Sequence, residues 1–501
     1  MHNRILNIKR GAITGGLLRI VQILLGFAMR TLLIKTLGMQ YLGLNGLFAS
    51  VMQVLNLAEL GVSTAMGYAL YEPIAHGKQT KINSILKLYK TYYTVIGAIV
   101  LVLGVCLLPF IGNLITGDVP GGINIYVLYI ISLLSTVTSY WVLGYRTVIL
   151  TANQRMDIYN SAYILVTFAQ YLLQAIALLI FKNYYFYSVC LNLVGLTMNI
   201  VCAYKAKQLF PNYFPSGEVE NECRKSINSS IKDLFLVKIS GVILNSFDSI
   251  VISSFLGLVQ LAMYNNYYYI LTSVAGVFGL IYSVAIAGIG NSLVVDSKEK
   301  VYKDFQVGSF IVIWLISVCT GCFMVLYQPF MMIWTGQEFM FEYPVVVCFA
   351  LYFFVYEFTM FFAAYKDAAG MWKKDKYRSI TAAIVNLLLN LLTIHTLGVY
   401  GVILSTVVSM LFINIPWIIK NLMKDVFGMS ALSYVRYIIK HIFIIGCVDV
   451  LCVMLINKIT YQGISGLLVQ GVGILALPNV ILFLIYRKSL EFKKVISYLR
   501  K

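Results

Sequence analysis

Long apolar runs dominate the pattern of hydrophobic and polar positions along this chain. Fourteen of them approach or exceed the length of about 20 residues that an α-helix needs to cross a bilayer. Glycine and proline mark several of the intervening turns, as at Gly38, Gly257 and Pro344. The pattern predicts an all-α, polytopic membrane protein of about fourteen transmembrane helices. The predicted spans are 11–36, 43–71, 88–110, 123–150, 157–181, 184–207, 230–256, 260–291, 307–333, 344–370, 377–397, 399–419, 437–457 and 464–486.

The composition excludes several classes of protein. Of the 501 residues, 60% are hydrophobic and only 12% are charged, which is too apolar for a soluble domain. The net charge of +18 would suit nucleic acid in a soluble protein, but here the basic residues lie between the apolar runs, so no nucleic-acid partner is expected. Cys319 and Cys322 have the spacing of metal ligands, yet no further ligand residue lies nearby in the sequence. We therefore expect no metal and no cofactor.

The distribution of lysine and arginine predicts the orientation of the chain in the membrane. Cytoplasmic loops carry an excess of these residues. The N-terminus and every second loop, with the helix ends that border them, hold 32 of the 38 basic residues, and the opposite loops hold only Lys35, Lys182 and Lys458. Both termini are therefore predicted to be cytoplasmic.

The two halves of the chain resemble each other at an offset of about 220 residues. With six helices per half, such a repeat keeps its orientation, as in transporters whose two parallel lobes move around a central site. The matched positions are Arg19 with Lys238, Leu37-Gly38 and Asn45 with Leu256-Gly257 and Asn265, and Tyr145-Arg146 and Asp157 with Tyr365-Lys366 and Asp375. The predicted domains are an N-terminal six-helix lobe (1–210), a cytoplasmic linker (211–229), a C-terminal six-helix lobe (230–420), and two additional transmembrane helices with a basic cytoplasmic tail that ends at Arg500 and Lys501 (421–501).

Charged residues inside the predicted helices are the candidates for transport, because a charge in the bilayer normally faces a cavity or a partner. One interpretation makes the three cations a cavity wall that attracts an anionic substrate. The other makes them structural partners of the acidic residues, and the sequence leaves both open. The acids are also candidates for coupling transport to an ion. The cations are Arg19, Arg30 and Lys238, and the acids are Glu59, Asp248 and Glu357.

Uncharged polar residues extend this set along the same helices. Asn45, Asn265 and Tyr269 are further candidates for binding substrate in the cavity. The neighbouring tyrosines at the start of the eighth span, such as Tyr264 and Tyr267, are expected mainly in the interfacial aromatic belt. The chain has no nucleotide-binding loop and no nucleophile–base motif, so we expect no catalytic residues and no enzyme activity.

Several segments resemble a known family, and the resemblance runs along nearly the whole chain. It resembles the Wzx-type polysaccharide flippases of the multidrug/oligosaccharidyl-lipid/polysaccharide (MOP) exporter superfamily. Lys366 stands where this family is expected to have arginine. The segments that carry the resemblance are Thr36–Phe48 (TLGMQYLGLNGLF), Ala58–Ala65 (AELGVSTA), Tyr145-Arg146 leading to Ala152-Asn153-Gln154, and Lys366–Trp372 (KDAAGMW).

The resemblance implies a function. Such a protein flips undecaprenyl-diphosphate-linked oligosaccharide repeat units from the inner to the outer leaflet of the bacterial cytoplasmic (inner) membrane, by alternating access. The polymer would be O-antigen of lipopolysaccharide, capsule or exopolysaccharide. The implied partners are the lipid-linked oligosaccharide, membrane lipids, H⁺ or Na⁺ as a coupling ion, and a polysaccharide polymerase.

Three other functions remain open at this stage. A multidrug/cation antiporter of the same superfamily would have an acidic cavity and twelve helices, whereas a peptidoglycan lipid-precursor flippase would share the basic cavity and the helix count. A membrane glycan polymerase or ligase would need a long outer loop, and the largest predicted outer loop covers only 111–122.

The predicted topology can be tested by chemical labelling. In a variant without native cysteines, we expect cysteines placed at Asp118 and Glu338 to react with an impermeant thiol reagent added outside the cell. Cysteines at Lys78 and Lys300 should react only after the membrane is opened, because the predicted fold keeps them cytoplasmic. Labelling of position 300 from outside would show that the order of spans is wrong.

Overall fold

The computed structural model describes residues 2–459 and 463–499, and the predicted tail residues Arg500 and Lys501 lie outside them. The described residues form helices joined by short turns, with no strand among them. Twelve helices are long and apolar enough to span a membrane, or thirteen when the bent pair of helices at 125–152 is counted as one span. The predicted all-α, polytopic membrane fold is confirmed. The remaining predicted span, 230–256, corresponds to a helix whose apolar part, Gly241–Leu256, is shorter.

The chain divides into two compact units, Met1–Ala262 and Met263–Lys501. These units are defined by contacts, and the predicted lobes with a linker at 211–229 stay a prediction. The first unit contains α1 (His2–Thr36), α2 (Met39–Leu55), α3 (Val62–Ala75), α4 (Gln79–Leu107), α5 (Ile125–Trp141), α6 (Thr147–Ala152), α7 (Met156–Leu179), α8 (Tyr184–Asn192), α9 (Val194–Leu209), α10 (Asn221–Leu256) and the start of α11 (Leu258–Val295).

The second unit contains the rest of α11 and eight further helices. Two π-helical turns, Met410–Asn414 and Leu422–Phe427, flank one of these helices. The helices are α12 (Lys298–Trp334), α13 (Tyr343–Ala368), α14 (Trp372–Leu397), α15 (Val399–Ser409), α16 (Ile415–Asn421), α17 (Ala431–Ile456), α18 (Gly463–Tyr486) and α19 (Leu490–Leu499).

Two predicted spans are not single straight helices. The span predicted over 43–71 breaks after Glu59, where Gly61 has a φ of 90° and α3 begins at the next residue. Glycine fits this break because a Cβ would also lie 2.8 Å from the Cβ of Leu234 on α10. The span predicted over 123–150 bends by 50° between α5 and α6. The apolar pattern predicted the length of these spans but not their interruptions.

The turns at Gly38 and Gly257 show the predicted repeat in the backbone itself. Gly38 has φ 111° and ψ 174°, and Gly257 has φ 89° and ψ 175°. This combination of angles is accessible almost only to glycine. Residues matched in the sequence repeat therefore adopt the same rare conformation at the equivalent turn of each half.

Within the first unit, small residues let α1 pack closely against α7. A Cβ on Gly11 would lie 3.3 Å from the Cβ of Met156, and one on Gly15 would lie 3.3 Å from Nδ2 of Asn160. The Asn160 amide donates a hydrogen bond to the Gly11 carbonyl at 3.1 Å. Close packing and an interhelical hydrogen bond are the interactions available to helices that have no hydrophobic drive to associate in lipid.

Within the second unit, the two helices beyond the predicted repeat pack against α12. Tyr434 of α17 is fully buried and shares a hydrogen bond of 2.6 Å with Ser309 of α12. The ring of Phe305 lies 4.9 Å from the Tyr434 ring and 4.6 Å from the Tyr365 ring of α13. Aromatic contacts of this kind fix α12, α13 and α17 into one core.

Candidate polar and charged sites within the membrane helices

The first cluster surrounds Glu59, at the break between α2 and α3 in the N-terminal unit. One carboxylate oxygen of Glu59 accepts a hydrogen bond from the Ser63 backbone amide at 3.3 Å. A carboxylate placed there is stabilised by the unsatisfied N–H groups and the dipole at the start of α3. The helix break at Gly61 therefore exposes the backbone amide of Ser63, which holds the Glu59 carboxylate by a hydrogen bond.

Tyrosines of α4 and α5 complete this cluster. The Tyr93 hydroxyl donates to Glu59 at 3.4 Å, and the buried Tyr89 hydroxyl donates to Tyr93 at 2.7 Å. Tyr140 donates to Asn56, one turn before Glu59, at 2.9 Å. A short chain of hydroxyl groups therefore leads through the helix packing to the Glu59 carboxylate.

Lys238 of α10 lies near this cluster but forms no ion pair with Glu59 among the described contacts. Its ammonium group donates to the Thr64 hydroxyl at 2.7 Å, and its side chain is exposed. Lys238 is close enough to act electrostatically on Glu59, but the described contacts include no direct ion pair between these two residues. The predicted cation Lys238 and the predicted acid Glu59 therefore lie near each other, and the ammonium group of Lys238 stays exposed.

A second cluster in the same unit gathers around Asn45 of α2. Its side-chain oxygen accepts a hydrogen bond from the Tyr184 hydroxyl at 2.8 Å, and its amide nitrogen donates to the Tyr187 hydroxyl at 3.2 Å. Arg30 of α1 acts electrostatically on Tyr187. Asn45 is therefore bonded directly to a tyrosine pair on α8, and Arg30 acts on the same pair only through its charge.

The remaining predicted residues of this unit are placed less specifically. Arg19 is partly buried on α1 and has interaction partners of its own, and Asp248 is buried on α10. Two residues before Asp248, the Ser246 hydroxyl donates to Gln53 of α2 at 2.9 Å. This hydrogen bond contributes to the packing of α10 against α2. The prediction that these residues bind substrate or couple to an ion stays a prediction.

In the C-terminal unit, the tyrosines that open α11 differ in their surroundings. Asn265 and Tyr269, the predicted cavity residues, are partly exposed and have partners within the structure. Tyr264 and Tyr267 are buried, with Tyr267 stacked on Phe349 of α13 at 5.6 Å. The expected interfacial position is wrong for these two residues because their rings fill the core of the unit.

Glu357 of α13 is the most deeply buried of the predicted acids. The residue is 1% exposed, and neither carboxylate oxygen forms a hydrogen bond of good geometry within the described part of the chain, although the Tyr282 hydroxyl lies close enough to interact with the carboxyl group. Tyr282 of α11 donates to the Glu357 backbone carbonyl at 3.2 Å. Asp449 of α17 is a second buried acid with an unpartnered oxygen, and both acids act electrostatically on Cys319 of α12. A buried carboxyl group without a partner favours its protonated form or a bound cation.

A third polar cluster, at the start of α14, is fully paired. Asp375 accepts hydrogen bonds from Arg378 at 2.7 Å and from Lys366 of α13 at 2.9 Å. Burial disfavours the charged form of Asp375, but hydrogen bonds and charges from these two cations outweigh it and hold the pKa of the carboxyl below its usual value. Arg378 also donates to Asn414, in the first π-helical turn. In the other half, the matched Asp157 accepts two hydrogen bonds from Arg155.

The sequence did not identify several residues that hold these sites together. Tyr93, Tyr184 and Tyr187 contact predicted residues directly, and each lies on a different helix from its partner in the cluster. Their only signal in the sequence is the spacing of tyrosine pairs, three residues apart at 184 and 187 and four apart at 89 and 93, which places each pair on one helix face.

No protein-family model and no curated protein matches this chain. Solved structures nevertheless share its fold. The lipid II flippase MurJ, in an inward closed conformation, superposes with a TM-score of 0.67 at 14% identity and covers 95% of this chain and 98% of its own. An inward-facing multidrug resistance MATE transporter of the MOP superfamily has a TM-score of 0.63 at 15% identity, covering 82% of this chain and 98% of its own.

A third neighbour is a MOP superfamily transporter from Pyrococcus furiosus, described as having a binding pocket of reversed polarity. Its TM-score is 0.55 at 16% identity, and it covers 83% of this chain and 95% of its own. At these identities the likeness concerns the fold alone. The chain has the fold of MOP superfamily transporters, and these neighbours are transporters rather than enzymes.

The contrast between the paired and the exposed charges predicts different effects of mutation on stability. Asp375→Asn should lower the free energy of unfolding by about 3–5 kcal/mol, because it removes one partner from a buried ion-paired network. Lys238→Gln should change it by less than about 1 kcal/mol, because the lysine is exposed and makes no direct ion pair with the described residues. The measurement is unfolding of the purified protein in micelles as a denaturing detergent is added. Equal destabilisation by both variants would make Lys238 a structural residue.

Proposed function

We propose that this protein flips undecaprenyl-diphosphate-linked oligosaccharide repeat units across the bacterial cytoplasmic membrane, by alternating access, for the biosynthesis of a surface polysaccharide. The observation that supports a flippase is the extent of the structural match. The lipid II flippase covers 95% of this chain, whereas the two compared MOP transporters that are not described as flippases cover 82% and 83%. The polysaccharide substrate, rather than lipid II, comes from the resemblance of the sequence to the Wzx-type flippases.

The charges on the membrane helices favour an anionic substrate. Lys238 is exposed within the N-terminal unit and is held by a neutral hydroxyl rather than by a carboxylate. Arg30 lies close to the Asn45 and Tyr187 cluster, whose amide and phenol groups suit the hydroxyl groups of sugars. An ammonium or guanidinium group forms strong, charge-assisted hydrogen bonds with a diphosphate. A transporter of drug cations would instead need accessible acids at these places.

Glu357 is our candidate for coupling transport to H⁺ or Na⁺. Glu357 is buried and forms no ion pair within the described part of the chain, so a proton or a bound cation would stabilise it. Glu59 is a weaker candidate because Ser63 and Tyr93 already donate hydrogen bonds to it. Asp248 has partners of its own and stays an untested prediction.

Surface polymer in cells provides the test of this function. Deleting the protein should leave lipid-linked repeat units on the cytoplasmic side and abolish the polymer. A Lys238→Gln variant should be present at normal abundance but restore at most about a tenth of the polymer, because a charge-assisted contact worth about 1.5–3 kcal/mol is lost. Lys90→Gln, at an exposed lysine of α4 in the same unit, is the matched control and should restore the polymer fully.

Two results would redirect the proposal. Normal polymer in the deletion strain with altered resistance to dyes or cations would favour the multidrug/cation antiporter. Loss of viability with peptidoglycan precursors accumulating inside would favour the lipid-precursor flippase. A Glu357→Gln variant extends the same assay to the coupling ion, because its protein should accumulate normally while its export fails. Full export by that variant would remove Glu357 from the coupling role.

A further inference from the structure

A cavity in the C-terminal unit is lined by none of the predicted site residues. It has a volume of about 800 Å³, within the range of about 300–1,000 Å³ that is typical of ligand sites. Its walls are the first half of α14 and the segment from the first π-helical turn through α16 to the second. Aromatic residues, a pair of lysines and one acid contribute to the lining: Tyr377, Phe412, Trp417, Lys420, Lys424 and Asp425.

The residues that line the cavity change from aromatic to basic along the chain. Phe412 is 69% exposed and Tyr377 is 62% exposed, and both rings face the open space with Trp417. Lys420 and Lys424 follow on the next turns, at the end of the candidate span Val399–Phe427. Aromatic side chains followed by basic ones are typical of the boundary between hydrocarbon and headgroups. The cavity therefore has an apolar part and a cationic part.

No ion pair within the described part of the chain neutralises the cationic part of the cavity. Lys420 and Lys424 are four residues apart on one helical face, where like charges repel each other. Neither forms an ion pair with another residue of the described chain, and both side chains are exposed. Asp425 lies beside them but has an interaction partner of its own. An anion placed between the two ammonium groups would relieve their repulsion.

The shape of the cavity is set by the packing beneath it. Arg378 is held by Asp375 and donates a hydrogen bond to Asn414, which ties the start of α14 to the first π-helical turn. The turn carries Phe412 into the cavity wall. Such π-helical turns are rare and often occur at functional sites. A buried ion-paired network therefore connects the two walls of the cavity.

We infer that this cavity binds an anionic phospholipid of the bilayer, with its phosphate between Lys420 and Lys424 and its acyl chain along Phe412 and Trp417. Basic pockets between membrane helices on the cytoplasmic side bind anionic headgroups. The distribution of basic residues predicts the cytoplasmic side for this end of the span. A free phosphate would leave the aromatic part of the cavity empty, and a zwitterionic headgroup would bring a cation towards the lysines.

The purified full-length protein, in nanodiscs of equal parts phosphatidylglycerol and phosphatidylcholine, can test this inference. Native mass spectrometry after release from the nanodisc counts the lipids that stay bound. The wild type should retain phosphatidylglycerol in preference to phosphatidylcholine. Lys420→Gln/Lys424→Gln should lower that retention by about tenfold or more, because both headgroup contacts are lost.

The matched control is Arg436→Gln/Lys440→Gln, which removes another exposed basic pair with the same spacing of four, on α17 and outside the cavity. It should bind lipid like the wild type. Equal retention of phosphatidylglycerol by all three proteins, or equal retention of the two lipids by the wild type, would overturn the inference. Displacement of the lipid by inorganic phosphate would assign the lysines to a free anion instead. The readout does not depend on transport, so it stands or falls separately from the proposed function.

Discussion

The cost of a charge in hydrocarbon governs this structure more than any other interaction, since each charged group at the centre of a membrane helix costs about 2.5–3.5 kcal/mol on insertion scales. The chain meets that cost in different ways. Asp375, just before the span that begins at Tyr377, is enclosed by Arg378 and Lys366. Within the described part of the chain, Lys238 instead keeps its ammonium group exposed and bonds to a hydroxyl rather than to a carboxylate, and Glu357 is buried without an ion pair. The enclosed charges stabilise the fold, and the other two are the residues that we propose respond to a substrate or an ion.

Two of the polar clusters lie where helices are irregular. Glu59 occupies the break between α2 and α3, where backbone N–H groups are available because the helix is interrupted. Asn414 lies in a π-helical turn and accepts a hydrogen bond from Arg378. Irregular backbone within a membrane protein needs protein or water partners, so charged side chains and helix breaks stabilise each other. Such places are also the ones at which a helix can bend when its partners change.

The sequence predicted the elements better than the contacts. Apolar runs gave the spans, since their length depends only on bilayer thickness, and Gly38 and Gly257 could be matched because their rare backbone angles require glycine. The break at Gly61 was missed, because it depends on the approach of Leu234 from a distant helix. Asn45 and Arg30 were identified as candidates by their polarity, whereas Tyr184 and Tyr187 were not, because tyrosine is common in the chain and its partner depends on packing. Tyr264 and Tyr267 were misplaced for the same reason.

The central claim is that an accessible cation on a membrane helix, Lys238, recognises an anionic, lipid-linked substrate and that a buried acid, Glu357, couples this transport to an ion. Its most direct test is transbilayer movement of a fluorescent diphosphate-linked oligosaccharide in proteoliposomes, followed by quenching from outside with and without an imposed ion gradient. The account predicts that wild-type protein moves the substrate faster than empty vesicles do, that Lys238→Gln abolishes most of this movement, and that Glu357→Gln removes its dependence on the gradient. Movement by Lys238→Gln at the wild-type rate would contradict the account.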